Sequence, residues 1–178
     1  MKSLKQYSIP FTGLKIGQHQ FSFEADGTFF DNFEYSLVKN GILKIDLVLD
    51  KQETLMVLNF HIKGNIQLSC DRCLADFPHQ IDTQDKLIAK FSESEDLEES
   101  EEVMVLSKND IEVDTSGFIY EMINLAAPYI NLCENPGETT SCDKEMLLKL
   151  KEFSLDNEEE NNESNDPRWD ALKSIKKN

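Results

Sequence analysis

The sequence predicts an α+β fold: an antiparallel meandering β-sheet, strongly curved or barrel-like, with two or three helices in the C-terminal third. Apolar and polar residues alternate through most of the first hundred positions, the period of half-buried strands. After Asp114 the period lengthens to that of helices, with capping residues and prolines at the ends. No uninterrupted apolar stretch exceeds four residues (Leu55 to Leu58, Val103 to Leu106), so no membrane-spanning helix is expected.

The elements follow in order. Phe21 and Phe23 alternate with polar neighbours in a short strand, and Asp26-Gly27 makes a turn into one helical turn carrying Phe29, Phe30 and Phe33. From Gly41, Leu43, Ile45, Leu47 and Leu49 mark a strand; Met56, Leu58, Phe60 and Ile62 mark the next. Ile66, Leu68 and Cys70 resume that parity after Gly64-Asn65, which predicts a bulged long strand or a hairpin turn at the glycine. After Pro78, Ile81, Thr83, Leu87, Ala89 and Phe91 continue the alternation. Phe118, Ile119, Met122, Ile123 and Ala126 predict a helix ending before Pro128. A second helix is expected from Ser141 or Asp143, burying Met146, Leu147 and Leu150. Asp166-Pro167 opens a last short helix with Trp169, Leu172 and Ile175 on one stripe. The expected organisation is a single α+β domain over 1–153, an acidic flexible linker over 154–166 and a basic amphipathic helix over 167–178.

Charge narrows the functional classes. The net charge is −16, but residues 92–102 hold seven acidic residues and 156–166 six more, with no Lys or Arg in either run. Those thirteen charges account for all but −3, so the folded body is near neutral and suits non-specific RNA binding poorly. Only Arg72 and Arg168 are arginines, which disfavours a surface built for bidentate phosphate or guanine readout. Residues 1–5 lead into no apolar core of a signal peptide, so the expected compartment is the cytoplasm.

Four cysteines fall in two pairs, Cys70-x2-Cys73 and Cys133-x8-Cys142. The first spacing lets two thiolates reach one metal from a tight turn; the second brackets a loop with the turn signal Asn135-Pro136-Gly137. Four thiolates fill the tetrahedral shell of Zn2+, a structural rather than catalytic site that would tie the sheet to the helical third. Free, partly buried thiols are the alternative, and disulfides a third, disfavoured in a reducing cytoplasm. A thioredoxin-like role for Cys70 and Cys73 is not expected, because no helix opens at the pair. His19, His61 and His79 form no metal or catalytic pattern, and neither a nucleophile elbow nor a phosphate-binding Gly-rich loop is present. No enzyme is therefore expected.

Three segments together resemble the YceD family, the large ribosomal RNA subunit accumulation proteins: Leu68-Ser69-Cys70-Asp71-Arg72-Cys73-Leu74, Ile123 to Pro128 followed by Cys133, and Asp166-Pro167-Arg168-Trp169-Asp170-Ala171-Leu172-Lys173. Both arginines sit inside these motifs. The resemblance implies a bacterial cytoplasmic protein needed for accumulation of large-subunit rRNA, with no established catalytic activity. Family members are often encoded beside a small large-subunit ribosomal protein, which implies a place in ribosome assembly. The second cysteine pair departs from many relatives, which have more cysteines there or none.

The reading that results is a non-enzymatic factor in large-subunit biogenesis, binding a basic ribosomal protein or precursor particle. Cys70, Cys73, Cys133 and Cys142 are its expected metal ligands. Arg72, Arg168, Trp169, Leu172, Lys173 and Lys176 are its expected contacts to partner or RNA, with Arg72 alternatively bracing the turn through an ion pair. Residues 167–178 carry +3 and could stack on RNA, enter a protein groove or pack back on their own domain. Two other readings remain: a nuclease or nucleotide hydrolase, which requires a fold gathering Asp46, Asp50 or Asp82 around Mg2+, and a redox-responsive binding module in which Cys70 and Cys73 bridge.

Overall fold

The structure, a computed structural model, describes residues 4–91, 103–107, 109–133 and 142–153. Met1–Cys142 forms one compact unit and Asp143–Asn178 a second.

The first unit is built on a five-stranded sheet of β2 (Gly17–Ala25), β3 (Gly41–Lys51), β4 (Leu55–Ser69), β5 (Asp76–Phe91) and β6 (Val103–Leu106), in that spatial order. β2 to β5 are an antiparallel meander, and β6 joins β5 in parallel over four residue pairs. The fold is thus α+β with a mostly antiparallel sheet, as the alternation predicts. The barrel-like form is not adopted: the order is open, with β2 and β6 as its two edges. The apolar face is closed instead by other layers. These are the two-stranded ribbon of β1 (Ser8–Pro10) and β7 (Glu112–Asp114), the short helix α1 (Gly27–Phe30) and the helix α2 (Ser116–Ala126).

Period-2 patterning decides which side of the sheet is buried. Leu43, Ile45, Leu47 and Leu49 of β3 lie beside Met56, Leu58, Phe60 and Ile62 of β4, all buried, while Lys44, Asp46, Asn59 and Lys63 face outward. Ile119, Met122 and Ile123 are the buried stripe of α2, and Phe118 packs on Phe60 with ring centroids 5.1 Å apart. Asp26 caps α1, accepting from the Thr28 N–H at 3.0 Å, and Phe29 and Phe30 enter the core beside Tyr7 and Phe33.

At Gly64 neither a bulge nor a turn occurs. β4 runs unbroken through it, with continuous register to both neighbours. The glycine is needed because β3 passes too close for any Cβ. Pro78 lies inside β5, yet β6 pairs only with Ile88–Phe91, so among the described residues the strand beside Pro78 has β4 on one side alone and can spare an N–H.

In the second unit the described residues form α3 (Lys144–Phe153), which starts where expected. Asp143 Oδ1 accepts from the N–H groups of Glu145 and Met146 at 2.8 and 3.3 Å. The expected buried face is not found: α3 buries no residue fully, Met146 and Leu147 are half-buried and Leu150 is exposed. An amphipathic pattern permits burial but does not supply a surface to bury against. The expected linker and terminal helix lie outside the described residues. Among the described residues no helix is long and apolar enough to cross a membrane.

Candidate metal centre

The connection from β4 to β5 is a tight loop, Cys70 to Ala75. It is closed by Cys70 N–H to Ala75 O and Leu74 N–H to Cys70 O, each 2.9 Å, with Leu74 in the left-handed region at φ 59°. A non-glycine residue held there costs of order 1 kcal/mol, so the turn must be fixed by something else. Part of the answer lies sixty residues away. The Asp71 N–H donates to Asn131 O at 2.8 Å, and the Asn131 N–H donates to Asp71 Oδ2 at 2.7 Å. This reciprocal pair fastens the loop to the chain leaving α2, which then delivers Cys133.

The four cysteines converge. All are buried, and their sulfurs lie within 4.8 Å of one another. Cys73 Sγ is 3.8 Å from Cys133 Sγ, which is 3.1 Å from Cys142 Sγ. A tetrahedral Zn2+ with bonds of about 2.3 Å sets its sulfurs about 3.8 Å apart, the separation of Cys73 and Cys133, while Cys133 and Cys142 lie closer than that. The donor set fits the metal in kind as well, being all thiol, with no histidine or carboxylate. Among the described residues it is the one group of three or more ligating side chains gathered closely enough to hold an ion.

The surroundings prepare thiolates. Burial opposes charge on Cys70, but the backbone N–H groups of Cys133, Cys73 and Arg72 outweigh it and bring this thiol down to about 6. Cys133 shifts the other way. The hydrogen bond that the Cys133 thiol donates to Cys142 pushes it up most, and burial and the neighbouring Cys70 add to this. A cation at the centre would favour full deprotonation of the four thiols. Arg72 contributes from outside, its Nη2 donating to Cys142 Sγ at 2.7 Å. One edge of the guanidinium is thus engaged at the cluster, where its positive charge favours thiolate. Arg72→Ala is expected to weaken metal retention about 10–100-fold with Arg72→Lys intermediate, read by competition against a chromophoric chelator. Equal retention by all three proteins would remove Arg72 from the site.

The other expected site residues divide. Arg168, Trp169, Leu172, Lys173 and Lys176 lie outside the described residues. The carboxylates that a hydrolase would need do not gather in the described residues, and Asp46 and Asp82 are paired on the outward sheet face. Asp46 meets Lys44 at 3.0 Å and Ser22 at 3.1 Å; Asp82 meets His61 at 2.8 Å and Lys63 at 3.2 Å. Contact with Lys44 lowers the Asp46 carboxyl, and the His61 hydrogen bond lowers that of Asp82. No Mg2+ site forms among them in the described residues. Asp71 and Asn131 were not legible as partners, because both types are ordinary in turns and nothing in their spacing links them.

Residues 58–176 match the family model described as "Large ribosomal RNA subunit accumulation protein YceD". The chain belongs to the YceD family. The match takes in β4 from Leu58 onward, the cysteine turn, β5 and α2. A relative from Bacillus subtilis (strain 168), named "Uncharacterized protein YlbN", is 27% identical over 161 residues, covering 88% of this chain and 89% of that protein. No solved structure matches the chain.

Proposed function

We propose that this YceD-family chain is a non-enzymatic factor of the bacterial cytoplasm that supports accumulation of large-subunit rRNA by binding a basic ribosomal protein or precursor particle. Its binding surface is held in shape by a structural Zn2+ on Cys70, Cys73, Cys133 and Cys142. The observation that carries the reading is the all-thiol cluster. Four thiolates leave a tetrahedral ion no open position for substrate, so the centre fixes structure rather than turning over a reactant. The metal supplies one thing here, a cross-link between the β4–β5 turn and the chain that follows α2. The protein's own residues do the rest: backbone N–H groups hold the Cys70 thiolate, Arg72 balances charge, and the Asp71–Asn131 pair sets the turn. The acidic runs suit a basic partner, since complementary fields speed encounter. The basic stretch 167–178, with Arg168, Trp169, Leu172, Lys173 and Lys176, serves as a tethered second contact.

The test is sedimentation of host lysate on sucrose gradients at low and high salt, alongside large-subunit rRNA levels in a strain lacking the protein. Co-migration with large-subunit precursors that fades as salt rises, and an rRNA deficit restored by the wild-type chain, are expected. A protein that stays at the top of the gradient at every salt concentration, in a host whose rRNA is normal without it, would sink the reading.

A further inference from the structure

Beside the cysteine cluster lies a surface that the metal does not account for. Two clefts of about 990 and 600 Å3 adjoin there and share Leu37, Asn124 and Leu125. Leu37 and Leu125 are 81% and 85% exposed; Tyr35 (86%) borders the smaller cleft and Tyr129 (99%) the larger. Single exposed apolar residues are ordinary, whereas these four gather around one double cleft.

The local structure holds these side chains outward. Between residues 35 and 39 the chain alternates: Ser36 and Val38 are buried, joined by Ser36 Oγ–H to Val38 O at 2.6 Å, so Tyr35, Leu37 and Lys39 must point away. Phe33 stacks on Tyr120 with centroids 4.0 Å apart and planes 11° from parallel, which anchors this loop to α2. Leu125 lies off the buried stripe of α2, and Tyr129 follows the helix-ending Pro128. The surface is preorganised, which reduces the ordering cost of binding.

Its polarity selects the occupant. The larger cleft offers Asp71 and Asp76, the smaller Asp85 and Glu121, against Lys39 as the one basic lining residue. Asn124 Nδ2 donates to Tyr120 O at 2.8 Å, which fixes the amide orientation. Its Oδ1, like that of Asn131, is buried and accepts no hydrogen bond among the described residues. The cleft therefore presents carboxylates around an apolar ridge. An RNA phosphate brings negative charge and more acceptors; Lys and Arg side chains bring positive charge and donors.

We propose that this double cleft docks a Lys/Arg-rich amphipathic segment of a basic protein. Its apolar side chains lie against Leu37, Leu125, Tyr35 and Tyr129, and its cationic side chains reach Asp76, Asp85 and Glu121. Only the identity of that protein as ribosomal rests on the function proposed above.

The full-length, metal-loaded protein is titrated with a fluorescent amphipathic Leu/Lys helical peptide. Saturable binding that weakens with salt is expected. Leu125→Asp and Glu121→Lys, both at exposed positions, are each expected to weaken it about tenfold, while Gln20→Glu on the outward sheet face leaves it unchanged. Metal content and circular dichroism confirm that the variants fold. Binding that is absent, or equal in Leu125→Asp, would overturn the proposal. So would tighter binding of a Leu/Glu peptide or a single-stranded RNA, a wild-type dimer dissociated by Leu125→Asp, or tighter binding of a peptide of residues 167–178. The rRNA assay fails or succeeds independently of this titration, so the two readings can fall separately.

Discussion

Cys133→Ser is expected to release the metal and lower the melting temperature by roughly 8–16 °C. Cys133 sits between Cys73 and Cys142, at 3.8 and 3.1 Å, so its loss opens the shell at the point where the two halves of the site meet. In zinc-finger peptides the metal supplies about 10–16 kcal/mol of apparent binding energy, which is the whole of their folding. Here the sheet has its own core, and an ion would couple only the β4–β5 turn to the residues bearing Cys133 and Cys142. A cost of about 4 kcal/mol follows, which at about 2–4 °C per kcal/mol for a chain of this size gives the stated range. A buried thiol exchanged for a hydroxyl with no metal present costs only about 1–2 kcal/mol, so magnitude separates the two states of the cluster. Chelation provides the second arm. It should lower the wild-type melting temperature to near that of Cys133→Ser and leave the variant unmoved. A wild-type protein that holds no metal by elemental analysis and melts unchanged in chelator would make the cluster four free thiols.

The parts of this fold that were legible in the sequence share a cause. β3 to β5 bury one face, so period-2 alternation had to appear in Leu43–Leu49, Met56–Ile62 and Ile81–Phe91, and it did. β1 and β7, three residues each, are too short to show a period, and Val103–Leu106 is uniformly apolar, so its pairing beside β5 left no trace. The C-x2-C half of the cluster was readable because one turn builds it. The approach of Cys133 and Cys142 was a stereochemical expectation, not a pattern. The clamps around the cluster were invisible for the same reason: Asp71 to Asn131 and Arg72 to Cys142 span 60 and 70 residues, and each depends on where two loops end up. Met146, Leu147 and Leu150 show the opposite error, in which a true helical pattern was credited with a burial that only tertiary structure can provide.

Gly64→Ala is the substitution with the largest effect expected outside the metal centre, because the strand crossing at Gly64 is backbone on backbone. Gly64 sits on the inward parity of β4, between Ile62 and Ile66 and opposite Leu43 and Ile81, where any other residue would bring an apolar side chain to the core. A Cβ there would overlap the Ile42 carbonyl oxygen and come within 2.9 Å of Leu43 Cα, at a φ of 149° that side chains rarely adopt. Neither contact can yield by rotating a side chain, so β3 must move off β4, at an expected cost of about 3–5 kcal/mol. The damage has a direction. The Gln67 N–H to Asn40 O bond, 2.9 Å, hangs the loop carrying Leu37 on this end of the β3–β4 pair. The cysteine turn hangs on the β4–β5 pair, whose register runs to Ser69 opposite Asp76. Gly64→Ala should therefore melt early and bind the Leu/Lys peptide poorly while still retaining metal, the reverse of a cysteine variant in that last respect. Gly117→Ala is the matched control: it lies in α2 with nothing within 4 Å of its Cβ, and should be neutral or stabilising by up to about 1 kcal/mol. Denaturant midpoints for the two alanine variants decide the matter. If they coincide, close approach at Gly64 is not what holds β3 against β4, and the position of the Leu37 loop needs another cause.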